Sequence, residues 1–334
     1  MQARPTSRIG LVLGAGGVVG HAFHAGVLAA LTEETGWDPR DADVVVGTSA
    51  GSVVGALLRA GASAPDLWAR AAGRPLSRAG QRLVARAESG PSPVAPIPSR
   101  AGRRFPSFSS SPRALTRAAL RPWASRPGAV AAALLPAGRI PTELVAAGLR
   151  PLFDGWPDPA LWINAVALDT GRRVVFGRDP RVEATVADAV AASCAIPSFF
   201  APVVIDGVRY VDGGVHSPTN AELVAGLALD LVIVSSPMSI ASAAPRLAAD
   251  QPARRWARVL LAREVARIRR AGTPVLTFQP TATDLAVMGL NAMSEDRRAP
   301  VATTAFETAR QRIASDRATE RIALIRRSAS TRPA

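Results

Sequence analysis

The segment DADVVVGTSAGSVVGALLRAG, residues 41–61, decides the fold. An apolar run ending at Val46 leads into Gly47-Thr-Ser49-Ala-Gly51, after which apolar residues return at helical spacing. This order predicts a buried strand, a tight turn and a helix. Glycines flank a serine in such a turn because side chains there would clash, and the turn displays the serine at the start of the helix. Ser49 is therefore a candidate nucleophile.

A second strand–turn–helix unit lies near the N-terminus. Ile9–Leu13 is an apolar run, followed by the loop GAGGVVG, residues 14–20, and an apolar helix-forming stretch. Two such units in succession predict a parallel sheet with helices packed on it. Further strands are predicted within 162–177, 201–214, 229–236 and 274–280, and further helices within 141–153, 183–200, 256–270 and 304–327. The chain is therefore predicted to be an α/β protein.

Composition and charge narrow the class of protein. The 334 residues are 48% hydrophobic, carry a single cysteine, Cys194, and have a net charge of +14 that comes from arginine alone. No uncharged apolar stretch reaches the ~18 residues of a spanning helix, and no signal segment precedes the first strand, so we expect a soluble cytoplasmic protein. No Cys/His cluster has metal-ligand spacing, and neither a metal nor a cofactor is expected.

The positive charge suggests a polyanionic partner. Basic runs interleaved with aromatic residues, typical of nucleic-acid platforms, are absent, so nucleic-acid binding is not expected. Peripheral attraction to an anionic membrane remains open. The Arg-rich helix Trp256–Arg270 is expected to face the core with a solvated basic side, and its alternative role is membrane docking.

We expect one domain over residues 1–334, with two appended parts. Residues 71–140 are rich in Arg, Pro and Ser, have weak periodicity and carry the apolar run Ala129–Leu135, which is typical of an insertion or lid-like segment. Residues 251–334 are expected to form a C-terminal helical extension.

A nucleophilic serine needs a base, and two candidates remain open. Asp212, in YVDGGV, could accept the Ser49 proton directly if it lies in a dry cleft. Alternatively, Ser49, Asp212 and His216 form a triad in chain order. The other two histidines, His21 and His24, fall on the first helix, where a surface or structurally bonded role is the more common one.

The loop at residues 14–20 also has two interpretations. Glycines between a strand and a helix can hold a pyrophosphate, which would make the protein a nucleotide-binding oxidoreductase. Gly14, Gly16 and Gly20 are spaced one residue too far for that motif, and the next strand ends at Gly47 rather than at an acidic residue. The better interpretation is that backbone N–H groups of this loop form an oxyanion hole.

The glycine loop with HAGVLAALTEE, then GTSAG, then ASCAIPSFFAPVVIDGVRYVDGGV resembles the patatin-like phospholipase family, over about residues 9–220. The resemblance implies a three-layer αβα fold and hydrolysis of lipid esters by a Ser–Asp dyad, Ser49 as nucleophile and Asp212 as base. The backbone N–H groups implied for the oxyanion hole are those of Gly16, Gly17, Val18 and Ala50. The glycines of the three motifs are Gly20, Gly47, Gly51, Gly213 and Gly214.

One departure from the family pattern lies in the glycine loop. Ala15 stands where the family usually has glycine, and Val19 where it has a basic residue. Neither change removes a backbone N–H group, so we expect an effect on the level of activity more than on the mechanism. A membrane-associated protein that kept this fold without catalysis is the remaining alternative.

Overall fold

The computed structural model describes residues 7–89, 111–120, 127–136, 138, 140–179, 182–241 and 248–331. Over these residues the chain forms eight strands and twelve α-helices. The strands are β1 Ile9–Leu13, β2 Val44–Thr48, β3 Ala160–Ala167, β4 Arg172–Phe176, β5 Val203–Ile205, β6 Val208–Asp212, β7 Leu231–Ser235 and β8 Val275–Phe278. The helices are α1 Gly17–Thr35, α2 Ala50–Arg59, α3 Ala64–Ala71, α4 Arg78–Glu88, α5 Pro112–Leu120, α6 Pro127–Leu134, α7 Glu143–Ala146, α8 Val186–Ser193, α9 Gln251–Arg270, α10 Ala282–Met288, α11 Arg298–Ile313 and α12 Thr319–Thr331.

The strands form one mixed, mostly parallel sheet in the order β5-β6-β3-β2-β1-β7-β8, with β4 pairing separately with β3. Pairs from β3 through β2, β1 and β7 to β8 are parallel, and β4, β5 and β6 pair antiparallel to their neighbours. The predicted β3–β4 hairpin and the β5–β6 hairpin, turning at Asp206-Gly207 with positive φ at both residues, are present as the sequence indicates.

Both faces of the sheet are covered, which gives the three αβα layers. In β1, Leu11 and Leu13 enter one hydrophobic core while Val12 enters the other, as the period of two in a strand requires. Helices α1, α2, α8 and α11 supply buried side chains to the first core. Helix α9 covers the opposite face through Leu261, Val265 and Ile268. The predicted α/β class is confirmed.

The pairing register of β3 with its neighbouring strands determines where the ends of those strands meet. β4 occupies one edge of β3, and β2 and β6 share the other edge. The parallel strand β2 ends with Thr48 opposite Asn164, and the antiparallel strand β6 ends with Asp212 opposite Ala165. Because Asn164 and Ala165 are consecutive, the carboxyl ends of β2 and β6 meet head to head.

Some predicted helices have different bounds in the structure. α8 ends at Ser193 and not at Pro197, because the next residues turn and the Ala195 carbonyl accepts the N–H of Asp212 at 2.9 Å. The expected helix within 141–153 is the four-residue α7 followed by a 3-10 turn, Ala147–Leu152, that contains Pro151, which cannot donate to a helical ladder.

The last predicted helix, 304–327, is two helices, α11 and α12, separated by a break at 314–318. Residues 251–334 were expected to be a helical extension, yet this segment also supplies β8 to the central sheet. Helix α11 packs against α1 in the core.

The predicted insertion, 71–140, is described in part. It contains α4, α5 and α6, and its residues 90–110 and 121–126 lie outside the described part of the chain. The apolar run Ala129–Leu135 falls largely on α6, which packs beside the turn that follows β6. Across the described residues, none of the helices combines the length and apolar character needed to cross a bilayer.

Candidate active site

Ser49 lies at a strained turn between β2 and α2. Its backbone has φ 53° and ψ −122°, a region that a non-glycine residue rarely occupies. The backbone N–H of Ser49 donates to Ser193 Oγ at 2.8 Å, which fixes the turn. Such a strained serine before a helix is the arrangement that the sequence predicted. Ser193 was not singled out from the sequence, because nothing in its own neighbourhood marks the contact.

The glycines beside Ser49 are required by close packing. A Cβ on Gly51 would overlap the backbone carbonyl of Leu13, and one on Gly47 would lie 2.5 Å from the Cα of Ser52. The helix that follows the serine is therefore pressed against the end of β1. The two glycines serve this close approach, and the serine side chain between them is left beside the ends of β1 and β6.

Asp212 is brought to Ser49 by the head-to-head meeting of β6 and β2. Its side chain is buried, and its Oδ1 accepts the N–H of Gly214 at 2.7 Å. Burial raises the pKa of Asp212 to about 6, while hydrogen bonding with the Ser49 hydroxyl and the Gly214 N–H acts in the opposite direction. Gly213 is required because a Cβ there would overlap the Asn164 carbonyl.

The glycine loop lies against both motifs. Its Gly14 carbonyl accepts the N–H of Gly51 at 3.2 Å, and its Ala15 Cβ would lie 3.5 Å from a Cβ on Gly214. The N–H of Gly20 is used inside the loop, donating to the Gly16 carbonyl at 2.8 Å. A side chain on Gly16 would meet the Cα of Gly20 at 2.6 Å. The loop is thus held close to the backbone of the serine turn.

Four backbone N–H groups beside Ser49 have no hydrogen-bond partner in the described part of the chain. They are those of Gly16, Gly17, Val18 and Ala50. The flanking N–H groups are all used: those of Gly14, Ala15, Val19, Gly20, Ser49 and Gly51 each have an acceptor. The unpartnered donors coincide with the four that the resemblance implied for an oxyanion hole. Unpaired N–H groups at a helix start form a natural site for an anion.

Val19, where the family has a basic residue, faces the protein core. Its side chain is buried in the hydrophobic cluster, and its N–H donates to the Ala292 carbonyl at 3.0 Å. Gly17 needs its positive φ of 61° beside the same carbonyl, which a Cβ would meet at 2.7 Å. The loop therefore keeps its backbone donors without the cation.

His24 occupies a structural position, between the glycine loop and β7. His24 is buried, with Nε2 2.8 Å from the Gly14 carbonyl and Nδ1 2.8 Å from Ser235 Oγ. Since the carbonyl can only accept, Nε2 carries the hydrogen and Nδ1 accepts from the hydroxyl. Burial lowers the pKa of His24 to about 4, so a neutral imidazole braces the glycine loop. The only sequence signal for this bracing role was that His24 lies within an apolar, helix-forming stretch.

His216 turns toward a different carboxylate. Its Nε2 lies 3.9 Å from Glu222 Oε1, and the groups that shift the Asp212 pKa are burial, Ser49 and Gly214. His21 lines a cavity, and burial and the nearby Arg298 lower its pKa to about 3. The His216 imidazole thus lies beside Glu222, whereas the hydroxyl hydrogen-bonded with Asp212 is that of Ser49.

A mostly apolar cavity of about 380 Å³ begins next to the glycine loop. Val18 contributes to its wall, as does Val53, one helical turn after Ser49. The remaining apolar wall comes from α2, α3, α4 and the 147–152 turn and includes Leu57, Leu67, Leu83, Leu149 and Leu152. This volume lies within the ~300–1,000 Å³ range of ligand sites.

Cys194 packs behind the two candidate catalytic residues. Its thiol is buried within the core, and burial, together with the negative charge of Asp212, raises its pKa to about 12. A thiol in this state is inert. Within the described ranges, no group of three or more metal-ligating side chains is gathered.

The fold and this arrangement define a class of protein: an αβα protein with a serine on a strand-to-helix turn, a buried aspartate beside it and an open set of backbone donors. Residues 11–225 match the patatin-like phospholipase family. The chain belongs to that family and is a hydrolase of lipid esters. Family membership overturns the nucleotide-binding oxidoreductase alternative.

Solved structures similar to this chain include two bacterial proteins. VipD from Legionella pneumophila is 14% identical, with a TM-score of 0.39 and an alignment covering 93% of this chain and 67% of VipD. The type III effector ExoU is 17% identical, with a TM-score of 0.36, and the alignment covers 98% of this chain and 54% of ExoU. The chain therefore spans only about half of ExoU. The curated protein sequences contain no match to this chain.

Proposed function

We propose that this protein hydrolyses carboxylic ester bonds of lipids with Ser49 as nucleophile and Asp212 as general base. The observation that carries the proposal is the head-to-head meeting of β2 and β6, which sets a strained serine against a buried carboxyl group. A carboxylate in a dry cleft can take the hydroxyl proton without an imidazole.

The reaction follows from these positions. Ser49 Oγ attacks the ester carbonyl carbon while Asp212 takes its proton. The oxyanion forms beside the unpartnered N–H groups of Gly16, Gly17, Val18 and Ala50, which need no reorganisation to bind it. The C–O bond then breaks, and the alcohol leaves with the proton from Asp212. A water molecule then gives a proton to Asp212 and attacks the carbonyl carbon of the acyl-serine. The bond between that carbon and Ser49 Oγ breaks, Ser49 Oγ takes the proton back from Asp212, and the carboxylic acid leaves, which restores both residues.

The apolar cavity supports a lipid over a small polar ester. We infer that it takes the acyl chain, because Val18 and Val53 place one part of its wall next to the serine turn. Each methylene moved from water into this cavity contributes about 0.8 kcal/mol. Long-chain esters should therefore have the lower KM.

The substitution Leu57→Trp tests the cavity. The larger side chain should fill it, lowering kcat/KM for a long-chain ester at least tenfold while a butyrate ester is cleaved at nearly the unaltered rate. Leu290→Trp, at an exposed position, is the matched control. Equal losses on both esters would refute the acyl-chain assignment.

The catalytic assignment is tested with a fluorophosphonate probe and a short p-nitrophenyl ester. Ser49→Ala should abolish labelling and hydrolysis while the protein stays folded by circular dichroism. Ser330→Ala, at an exposed position of α12, is the control. Residual turnover within a few-fold of the unaltered enzyme would exclude Ser49 as the nucleophile.

Peripheral docking on an anionic bilayer is a further part of the proposal. On α9, Trp256 and Val259 are 47% and 49% exposed, and Arg255 and Arg263 are exposed beside them. Trp256, Val259 and Arg263 are spaced three and four residues apart and so share one face of the helix. Apolar residues bordered by arginine suit the interface of a negatively charged membrane.

Vesicle sedimentation tests this surface. Binding to vesicles of phosphatidylcholine with phosphatidylglycerol should exceed binding to phosphatidylcholine alone, should fall with added salt, and should weaken in the double variant Trp256→Ser, Val259→Ser. Val204→Ser, at a 63% exposed position on β5, is the control. Unchanged binding of the double variant would exclude α9 as the docking surface.

A further inference from the structure

A buried carboxyl group on α9 anchors the segment that follows Asp212. Glu264 is 8% exposed and accepts three hydrogen bonds from that segment. Ser217 Oγ and Thr219 Oγ1 each donate at 2.5 Å, and the backbone N–H of Ala221 donates at 2.9 Å. The proposed chemistry makes no direct use of this group.

Asn220 lies between these anchors and connects the segment to both catalytic motifs. Its backbone is left-handed, with φ 52°, a conformation that asparagine tolerates better than most residues. Its Nδ2 donates to Thr48 Oγ1 at 3.1 Å and to the Gly213 carbonyl at 3.4 Å. Thr48 precedes the nucleophile and Gly213 follows the base. One side-chain amide thus ties the ends of β2 and β6 together.

A second carboxyl group faces Glu264. Glu222 Oε1 accepts from the Arg173 guanidinium of β4 at 2.5 Å, and Arg173 also donates to Asn220 Oδ1 at 2.9 Å. His216, with its Nε2 3.9 Å from Glu222 Oε1, is the other titratable group at this point. One guanidinium therefore joins the Glu222 carboxylate to the Asn220 side chain.

Two neighbouring carboxyl groups, of which Glu222 is the one paired with Arg173, retain a proton between them. Burial and the neighbouring Glu222 raise the pKa of Glu264 to about 8. Burial opposes ionisation of Glu222 as well, but its hydrogen bond with Glu264 and the charge of Arg173 leave its pKa below the usual range. At neutral pH the pair carries a single negative charge.

We propose that Glu264 is a positioning residue for the Ser49–Asp212 site. Its carboxyl group holds residues 217–221 in place, and the Asn220 amide transmits that position to the residues that flank the nucleophile and the base. The inference rests on the proposed function, since it concerns the geometry of the same two side chains. The segment 217–221 is held in place while the Glu264–Glu222 pair retains its shared proton.

Loss of the shared proton should loosen the segment. Glu264 and Glu222 would then both be ionised, and their mutual repulsion acts on the loop that carries Ser217, Thr219 and Asn220. Activity should therefore fall as the pH rises above about 8, through kcat more than KM, because substrate contacts are not altered. A merely structural role for Glu264 would give no such alkaline limb.

The experiment compares pH profiles of the full-length protein and Glu264→Gln. The kcat of a short-chain soluble ester is measured from pH 5 to 10 by chromatography of the product, with spontaneous hydrolysis subtracted. Glutamine keeps an acceptor oxygen and donates an N–H toward Glu222, as the protonated acid does. The unaltered enzyme should lose activity about tenfold per pH unit well above its upper limb, and Glu264→Gln should stay at the plateau. Glu320→Gln, on the exposed side of α12, should behave as the unaltered protein.

The outcomes are distinct. A plateau up to pH 10 in the unaltered enzyme, or the same alkaline limb in Glu264→Gln, would overturn the positioning role. If Glu264→Gln does not fold, Glu222→Gln removes the second carboxylate while keeping all three anchoring bonds, and it must also remove the limb. Failure of the proposed function is recognised separately, because Ser49→Ala would then keep its activity at every pH.

Discussion

The ionisation of Asp212 sets the lower end of the pH range for activity. Burial raises its pKa to about 6 despite the opposing hydrogen bonds from Ser49 and Gly214. A carboxyl group that accepts the Ser49 proton has to be ionised before it can act. The rate should therefore rise with pH through about 6 and reach a plateau above it.

The magnitude follows from the fraction of Asp212 that is ionised. At pH 5, one unit below a pKa of about 6, roughly a tenth of the molecules carry the carboxylate. With the ordinary pKa of 3.8 more than about nine tenths would carry it. We therefore expect kcat/KM at pH 5 to be about tenfold below its value at pH 7, where a solvent-exposed aspartate would give nearly equal rates.

The assay is kcat/KM for a short, uncharged soluble ester from pH 4.5 to 7.5 at constant ionic strength, with tryptophan fluorescence as a check on folding. The variant His216→Ala assigns the limb. Because burial, Ser49 and Gly214 are what shift the pKa of Asp212, removal of the imidazole should leave the midpoint of the limb unchanged.

Two results would refute the reasoning. A rate that is constant from pH 4.5 to 7.5 would show that no group with a raised pKa controls catalysis. A limb that disappears in His216→Ala would assign the limb to the imidazole and not to Asp212.

Three further substitutions have defined outcomes. Asp212→Asn should lower kcat/KM by about 10²–10⁴-fold, which is the usual contribution of a general base. His216→Ala should change kcat/KM only a few-fold. A larger loss in His216→Ala than in Asp212→Asn, measured with a p-nitrophenyl ester, would restore the triad. Gly51→Ala should cost about 1–3 kcal/mol of unfolding free energy in urea, because its Cβ overlaps a carbonyl of β1, while Gly155→Ala, with open space around it, should be neutral. Leu134→Ser, at a 56% exposed position of the lid-like segment, should reduce hydrolysis of vesicle lipid and leave a short soluble ester unaffected; equal loss on both would exclude a role in lipid access.

The local motifs could be predicted because each is one short continuous segment that contains both the pattern of its secondary structure and its chemically active residue. Buried parallel strands appear in a sequence as continuous apolar runs, so β1, β2, β7 and β8 were recognisable. Glycines that permit close backbone approach mark a turn, and this singled out Ser49 between Gly47 and Gly51. The four oxyanion donors came from the family resemblance, because backbone N–H groups carry no residue signature.

The residues that were missed act across long sequence separations. His24 contacts the glycine loop at the Gly14 carbonyl and is oriented by Ser235 of the distant strand β7, and Glu264 anchors a segment more than 40 residues before it. Nothing in the sequence near Glu264 distinguishes it from a glutamate on the solvated side of an Arg-rich helix. The end of α8 was placed wrongly for a related reason, since the chain turns after Ser193 and the carbonyl of Ala195 accepts the N–H of Asp212 in β6.

The meeting of Ser49 and Asp212 depends on strand direction as well as strand order. β2 and β6 lie on the same edge of β3, one parallel and the other antiparallel to it. Two strands running in the same direction along one edge would bring a carboxyl end to an amino end, and the two motifs would lie apart. A slip of β6 by one residue would move Asp212 by about 3.3 Å and turn its side chain to the other face of the sheet. The β3 register is therefore the element that sets the distance between nucleophile and base, and the Asn220 amide, bonded to both strand ends, acts against that slip.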